Sequence, residues 1–271
     1  MPALPARRPG ASLEQALRQA VDRQELQVHY QPIFSLAHGR TLEVEALLRW
    51  RKDGAQVSAA DFIPVAERTG LILKLGTWVL EQACRQVARW QREIAGAEHL
   101  VASVNLSGRQ FQHAGLVDEI RRVLVRTGLS PEYLNLEITE TVSIEDCEIA
   151  SRTLRTLRDC GIRLAIDDFG TGYSSLSYLK HFPVDSLKID RSFVCSIERD
   201  PRDAAIVQGV TALAGALGLQ VTAEGIESHA QWVRLRELGC NRGQGYLYAR
   251  PMTAEDLEPV LRKSLSLKAA A

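Results

Sequence analysis

Neither sign of charge dominates this sequence: 33 lysines and arginines face 33 aspartates and glutamates across 271 residues. A neutral balance leaves no positive field to grip nucleic acid phosphates or an anionic membrane, so neither is an expected partner. No stretch approaches the ~20 uncharged apolar residues of a membrane-spanning helix. The opening decapeptide, MPALPARRPG, lacks the apolar core of a secretion signal. Cysteine is sparse: Cys84, Cys147, Cys160, Cys195 and Cys240 are odd in number, far apart and without a Cys-x-x-Cys pair. They read as reduced thiols of a cytoplasmic chain, neither a disulfide framework nor a zinc site. The six histidines are scattered, with no His-x-x-x-His pair. Gly170-Thr-Gly172 is followed by no G-x-G-x-x-G or Walker A pattern, which removes a phosphate-cradling loop. With 45% hydrophobic and 24% charged residues, an ordinary globular enzyme or binding module remains. Its expected location is the cytoplasm, as a free protein or as the cytoplasmic part of a longer, membrane-anchored one.

Residues 1–11, rich in Pro, Arg and Ala, read as a flexible linker, 12–265 as one domain, and 266–271 as a flexible tail. A polar helix is expected over Ser12–Arg23. Asp200 as N-cap, Pro201 at N1 and Asp203 at N3 open another, along which Ile206, Val210, Leu213 and Leu217 recur at helical spacing up to Gly218. Ser228-x-x-Gln231 is a capping box ahead of a buried face of Trp232, Leu235 and Leu238. Ser143-x-x-Asp146 opens a further helix. Leu116, Ile120 and Leu124 mark one that ends at Gly128, with Val123, Leu124 and Val125 on its buried side.

Eight strand candidates fall between these helices, at 26–33, 41–48, 101–106, 134–138, 162–167, 186–189, 220–224 and 242–247. The link between the first two is too short for a crossover, so they should form an antiparallel hairpin. The other connections are helix-length. The expected fold is α/β, a (β/α)8 TIM-like barrel with an antiparallel first strand; a doubly wound open sheet is the alternative that strand counting leaves open.

A barrel of this kind places its active site at the C-terminal ends of the strands. Those ends carry Glu45, Asn105, Glu137, the pair Asp167 and Asp168, Lys188, Glu224 and Gln244, with Glu227 close behind. A lone carboxylate at a strand end is more often a helix cap or a surface charge. Glu45 and Glu137, however, are embedded in apolar runs, so a cation is the expected partner of Glu45. Six carboxylates on one rim repel unless protonated or paired, and one lysine cannot balance them. Oxygen donors without clustered His or Cys suit Mg2+ or Mn2+, and two adjacent aspartates can address two ions about 3.5–4 Å apart, as in phosphodiester cleavage. Enolate chemistry in barrels uses the same inventory, so these residues alone leave both reactions open.

Seven motifs then appear in order: Glu45-Ala-Leu-Leu-Arg-Trp50, Asn105-Leu-Ser107, Glu137-Ile-Thr-Glu140, Asp167-Asp-Phe-Gly-Thr-Gly-Tyr-Ser-Ser-Leu176, Lys188-Ile-Asp190, Ala223-Glu-Gly-Ile-Glu227 and Gln244-Gly245. Together, over roughly residues 12 to 262, they resemble the EAL-domain phosphodiesterases that hydrolyse the bacterial second messenger cyclic di-GMP. The resemblance implies that Glu45, Asn105, Glu137 and Asp167 hold one metal ion. Asp167 would bridge to a second, with Asp168 beside it and Glu224 as a further ligand, directly or through water. Two Mg2+ or Mn2+ ions are implied, with Ca2+ inhibitory. Lys188, Glu227 and Gln244, with Glu45, form the implied catalytic set that holds or activates the attacking water. Lys188 has two open roles there, a proton acceptor of lowered pKa or an electrostatic holder. Gln31, Leu48 and Arg49 match nucleotide contacts, and Glu140 matches a glutamate that anchors loop 169–177. The implied product is linear pGpG, and the implied partners beyond cyclic di-GMP are a second copy of the chain and an upstream GGDEF or sensory domain. One departure is Arg51-Lys52-Asp53, where the family often reads x-His-Pro; a surface loop is expected there. A non-catalytic cyclic di-GMP receptor, or a regulatory domain of a larger GGDEF–EAL protein, is the competing reading. The complete ligand set favours catalysis.

Overall fold

The structure, a computed structural model, describes residues 9–20, 22–139, 147–171, 179 and 182–266. Its first half contains α1 (Pro9–Ala20), β1 (Leu26–Ser35), β2 (Thr41–Lys52), β3 (Ala55–Val57), α2 (Ala59–Thr69), α3 (Leu71–Glu93), β4 (Val101–Leu106), α4 (Gly108–Phe111) and α5 (Leu116–Thr127). There follow β5 (Leu134–Thr139), α6 (Cys147–Asp159), β6 (Arg163–Phe169), β7 (Ser186–Ile189), α7 (Arg191–Cys195), α8 (Pro201–Ala216), β8 (Gln220–Ala223), α9 (His229–Glu237), β9 (Arg242–Gly243) and α10 (Ala254–Ser266). No helix among the described residues is long and apolar enough to cross a membrane.

The link from Leu36 to Arg40 does force β1 and β2 into an antiparallel hairpin, with Gln31 opposite Glu45. From β2 the sheet continues in parallel through β4, β5, β6, β7, β8 and β9. β9 then pairs antiparallel with β1, closing an eight-strand barrel and excluding the open sheet. Its antiparallel first strand is the one expected from the hairpin.

Three local expectations are corrected. Arg51 and Lys52 are not loop but the end of β2, which turns through Asp53 (φ 51°) and Gly54 (φ 82°) into β3. Two consecutive positive φ values are the signature of a primed hairpin turn, and Asp-Gly is among its preferred sequences. The last strand stops at Gly243 instead of running to 247, because Gln244 N bonds Ala223 O and Gln244 O accepts from Ile226 N. Gly245 permits that fold-back: a Cβ there would lie 2.2 Å from Ile226 N. Val125 is 84% exposed and not part of the buried side of α5.

On α8 the apolar stripe lies at the edge of the contact with the barrel: Val210 and Leu213 pack partly buried against the core. Ala204, Val207, Thr211 and Ala214 are buried, while Ile206 and Leu217 are 41% and 46% exposed. Mostly small side chains let the helix sit close to β7 and β8, so Ile206 and Leu217 are left toward solvent. The capping box of Ser228 and Gln231 opens α9 as expected. Ser143 and Asp146 lie outside the described residues. A large core fills the space between sheet and helices, and a satellite core of Leu17, Leu26, Trp50, Phe62, Ile72 and Leu75 ties α1 and α2 to one side. Leu48 and Trp78 pack against both.

Candidate active site

Alternation along each barrel strand turns every second side chain inward. Lys188 of β7, 2% exposed, occupies the centre. Its Nζ lies 2.6 Å from Glu137 Oε2, 2.6 Å from Glu224 Oε1, 3.3 Å from Asp167 Oδ1 and 3.7 Å from Glu45 Oε2. Glu45 has more partners than a cation: Asn105 Nδ2 donates to its Oε1 at 2.6 Å and Gln244 Nε2 to its Oε2 at 2.6 Å. Gln244 Nε2 also reaches Gln31 Oε1 at 2.9 Å, and Gln31 Nε2 donates to the Ala249 carbonyl at 3.0 Å. Gln244 Oε1 is left buried and without a hydrogen-bond partner among the described residues.

A bulge between Ile166 and Phe169 interrupts the pairing of β6 with β7. Within it Asp168 adopts φ 53°, a left-handed backbone that Asp tolerates better than most residues. Its amide donates to Asp167 Oδ1 at 3.0 Å. The kink lets consecutive aspartates serve one site: Asp167, Asp168 and Glu224 each offer an oxygen within 4.8 Å of the others.

The electrostatics follow from four buried or half-buried carboxylates around one ammonium. Burial alone would lower the pKa of Lys188, but Glu137, Glu224, Glu45 and Asp167 outweigh it and hold the group well above its ordinary value. Among the described residues no other cation stands between these carboxylates, and the balance favours the charged ammonium. Burial pulls Glu45 upward, yet Lys188 and the hydrogen bonds from Gln244 and Asn105 keep it below the usual carboxylate range. Burial pushes Glu137 well above that range, and the charges of Glu45 and Asp167 add to this against the pull of Lys188. Glu224 is raised to about 7, chiefly by burial. Asp168 is raised by burial and then by Asp167. One lysine does not neutralise this cluster.

That surplus of negative charge is what a divalent cation relieves. Glu45, Asn105, Glu137, Asp167, Asp168 and Glu224 supply only oxygen donors, and Gln244 Oε1 adds an unused acceptor. The set fits a hard ion such as Mg2+ or Mn2+.

Two cavities flank the cluster. One, of about 310 Å³, is mostly apolar and is lined by Leu48, Arg49, Ile63, Leu75, Asn105 and Gln110. The other, of about 230 Å³, is lined by Gln31, Glu45, Arg191, Glu227, Gln244 and Tyr246. Leu48 and Arg49 thus stand in a side cavity, with the Arg49 guanidinium donating to Leu48 O at 3.1 Å. Glu227 stands in the other, with its amide donating to Gln231 Oε1 at 2.7 Å. Glu140 and residues 172–177 of the loop it was expected to anchor lie outside the described residues. Sequence reasoning missed Arg191 and Tyr246; the Arg250 guanidinium stacks 4.1 Å from the Tyr246 ring centroid. Both lie just past strand-end motifs, and following those motifs into the next loop finds them. It also missed an inward layer of Glu43, Ser103, Asn135 and Arg242, each two residues before a rim residue in the sequence.

The sequence pattern of the EAL domain family matches residues 14–251. The bifunctional diguanylate cyclase/cyclic di-GMP phosphodiesterase MucR of Pseudomonas aeruginosa is 47% identical over 242 residues, 89% of this chain and 35% of that protein. The cyclic di-GMP phosphodiesterase NbdA of the same organism is 43% identical over 251 residues, 92% of this chain and 32% of that protein. The chain thus spans about a third of the length of these relatives. Among solved structures, the MucR phosphodiesterase in complex with cyclic di-GMP superposes with a TM-score of 0.87 at 46% identity, covering 91% of this chain and 99% of that one. The EAL domain of Mycobacterium smegmatis DcpA superposes with a TM-score of 0.74 at 38% identity, covering 88% of this chain and 96% of that one.

Proposed function

The chain belongs to the EAL domain family, and on that premise we propose that it is a metal-dependent phosphodiesterase that opens cyclic di-GMP to linear pGpG. The observation that carries the reading is the oxygen-only donor set gathered around Lys188, flanked by two cavities that suit the two nucleoside halves of such a substrate. Similarity to MucR, solved with cyclic di-GMP, supports the substrate. Glu45, Asn105, Glu137 and Asp167 would hold one ion, and Asp167 with Asp168 and Glu224 a second. When bound, the two ions supply the positive charge that offsets the phosphate oxygens and lowers the pKa of the attacking water. Lys188, a held ammonium, orients that water and stabilises negative charge as it develops. Gln244 Oε1 offers it an acceptor, and Glu227 approaches from the adjoining cavity. Gln31, Leu48 and Arg49 would contact the nucleotide, and Glu140 would anchor loop 169–177.

The exposed Ile206 and Leu217 on α8 are apolar surface that a homodimer would cover, since solvent is a poor partner for it. The pairing of cyclase and phosphodiesterase in MucR supports a setting beside a GGDEF domain, and the messenger substrate supports a cytoplasmic location. The test is incubation with cyclic di-GMP and Mg2+, Mn2+ or Ca2+, followed by chromatography of the nucleotides. We expect pGpG with Mg2+ or Mn2+ and little with Ca2+, whose larger radius misplaces the nucleophile. Cyclic di-GMP bound tightly but recovered unchanged would establish the receptor reading instead. Equal rates with Ca2+ and Mg2+ would remove the metal assignment.

A further inference from the structure

Directly beneath the acidic rim the barrel interior is polar, where barrels of this kind usually stack Val, Ile and Leu. Glu43, Ser103, Asn135 and Arg242, from four different strands, form one hydrogen-bonded chain. Arg242 Nη1 donates to Glu43 Oε2 at 3.0 Å. Asn135 Nδ2 donates to Glu43 Oε1 at 2.6 Å and to Ser103 Oγ at 3.0 Å. Ser103 Oγ donates to Glu137 Oε1 at 2.5 Å.

The chain has a direction. A guanidinium only donates and an ionised carboxylate only accepts. Glu43, pinned by Arg242, therefore turns the NH2 of the Asn135 amide toward itself. The same nitrogen donates to Ser103 Oγ, which leaves the hydroxyl hydrogen for Glu137. That orientation leaves Asn135 Oδ1 buried without a hydrogen-bond partner among the described residues. The opposite orientation would set that oxygen against the Glu43 carboxylate. A buried ion pair is weak evidence for stability, so stability alone does not account for the layer.

We propose that Ser103, Asn135 and Glu43, locked by Arg242, are positioning residues that orient the Glu137 carboxylate, tying Oε1 to the barrel interior and presenting Oε2 to Lys188 and the cation site. This deepens the functional reading above and rests on Glu137 being a metal ligand. Supporting partners of this kind typically matter 10–100-fold in metal affinity.

The experiment is a titration of Mn2+, with free ion followed by electron paramagnetic resonance. The proteins are the wild type, Ser103→Ala, Glu43→Gln and the double variant, with melting temperatures recorded in a chelator. Each single substitution should weaken Mn2+ binding by roughly 10-fold or more. The double variant should be no worse than Ser103→Ala alone, because both changes cut one chain. At saturating Mn2+ the KM for substrate should be unchanged. A Glu43→Leu/Arg242→Met pair, which leaves no buried charge unpaired, should show the same loss and covers the case in which Glu43→Gln does not fold. Wild-type affinity in every variant, or losses that add in the double, would overturn the positioning role while leaving the metal site in place. A wild type that binds no Mn2+ would overturn the metal reading and this inference with it.

Discussion

Replacing Glu224 with Gln should stabilise the protein in a pH-dependent way when divalent ions are chelated. Gln has nearly the shape of the protonated acid and cannot ionise. The folded-state pKa of Glu224, about 7, lies above the ordinary 4.5. The folded protein therefore holds this proton more tightly than the unfolded chain does. The resulting stability is fully present below about pH 4.5 and is lost as pH rises through about 7. By pH 8 the wild type has given up about 3 kcal/mol, taking 1.36 kcal/mol per pKa unit. A fifth of the side chain (21%) reaches solvent, so this figure is a ceiling. For a domain near this size it corresponds to roughly 6–12 °C in Tm. Melts at pH 4, 5, 6, 7 and 8 in a chelator should show the two proteins nearly equal at pH 4 and the variant pulling ahead by pH 8. Saturating Mg2+ should narrow or reverse the gap, because the wild type gains the larger binding contribution. A variant less stable than wild type at pH 8, or an offset independent of pH, would show that Glu224 ionises at no net penalty and that the reasoning is wrong.

Glu45→Ala should leave the fold intact and reduce turnover by more than the 10–100-fold typical of a supporting partner; near-normal turnover in the chromatographic assay would remove Glu45 from the ligand set. Gly76→Ala should lower Tm, because a Cβ there would fall 1.9 Å from Gln110 Nε2 and displace the side chain that completes the Ser107 capping box of α4. Overpacking plus a lost cap is worth roughly 2–4 kcal/mol, and an unchanged melt would show that Gln110 has an equally good alternative position. Asp168→Gly should be more stable than Asp168→Ala by about 1 kcal/mol in denaturant titrations, since only glycine accepts φ 53° freely. Equal stabilities would show that the bulge relaxes to accommodate alanine.

Much of this protein was determined by local pattern. The capping box at Ser228, the Asp200-Pro201 start of α8 and the short link after β1 each act within a few residues, and each produced the element expected. Alternation along the strands likewise determined that Glu45, Asn105, Glu137 and Lys188 share one interior, because side-chain direction in a strand follows from position alone. The tertiary structure decided what depends on neighbours distant in sequence. Helical spacing showed that Ile206, Val210, Leu213 and Leu217 share a face of α8, but only packing against β7 and β8 decided that Val210 and Leu213 meet the core while Ile206 and Leu217 stay exposed. The end of β9 was decided by hydrogen bonds to Ala223 and Ile226, which no periodicity within 242–247 contains. The charge state of Lys188 is the clearest case. Burial and four carboxylates, three on other strands and Glu224 just past β8, act on it in opposite directions, and only their distances in the closed barrel decide the balance.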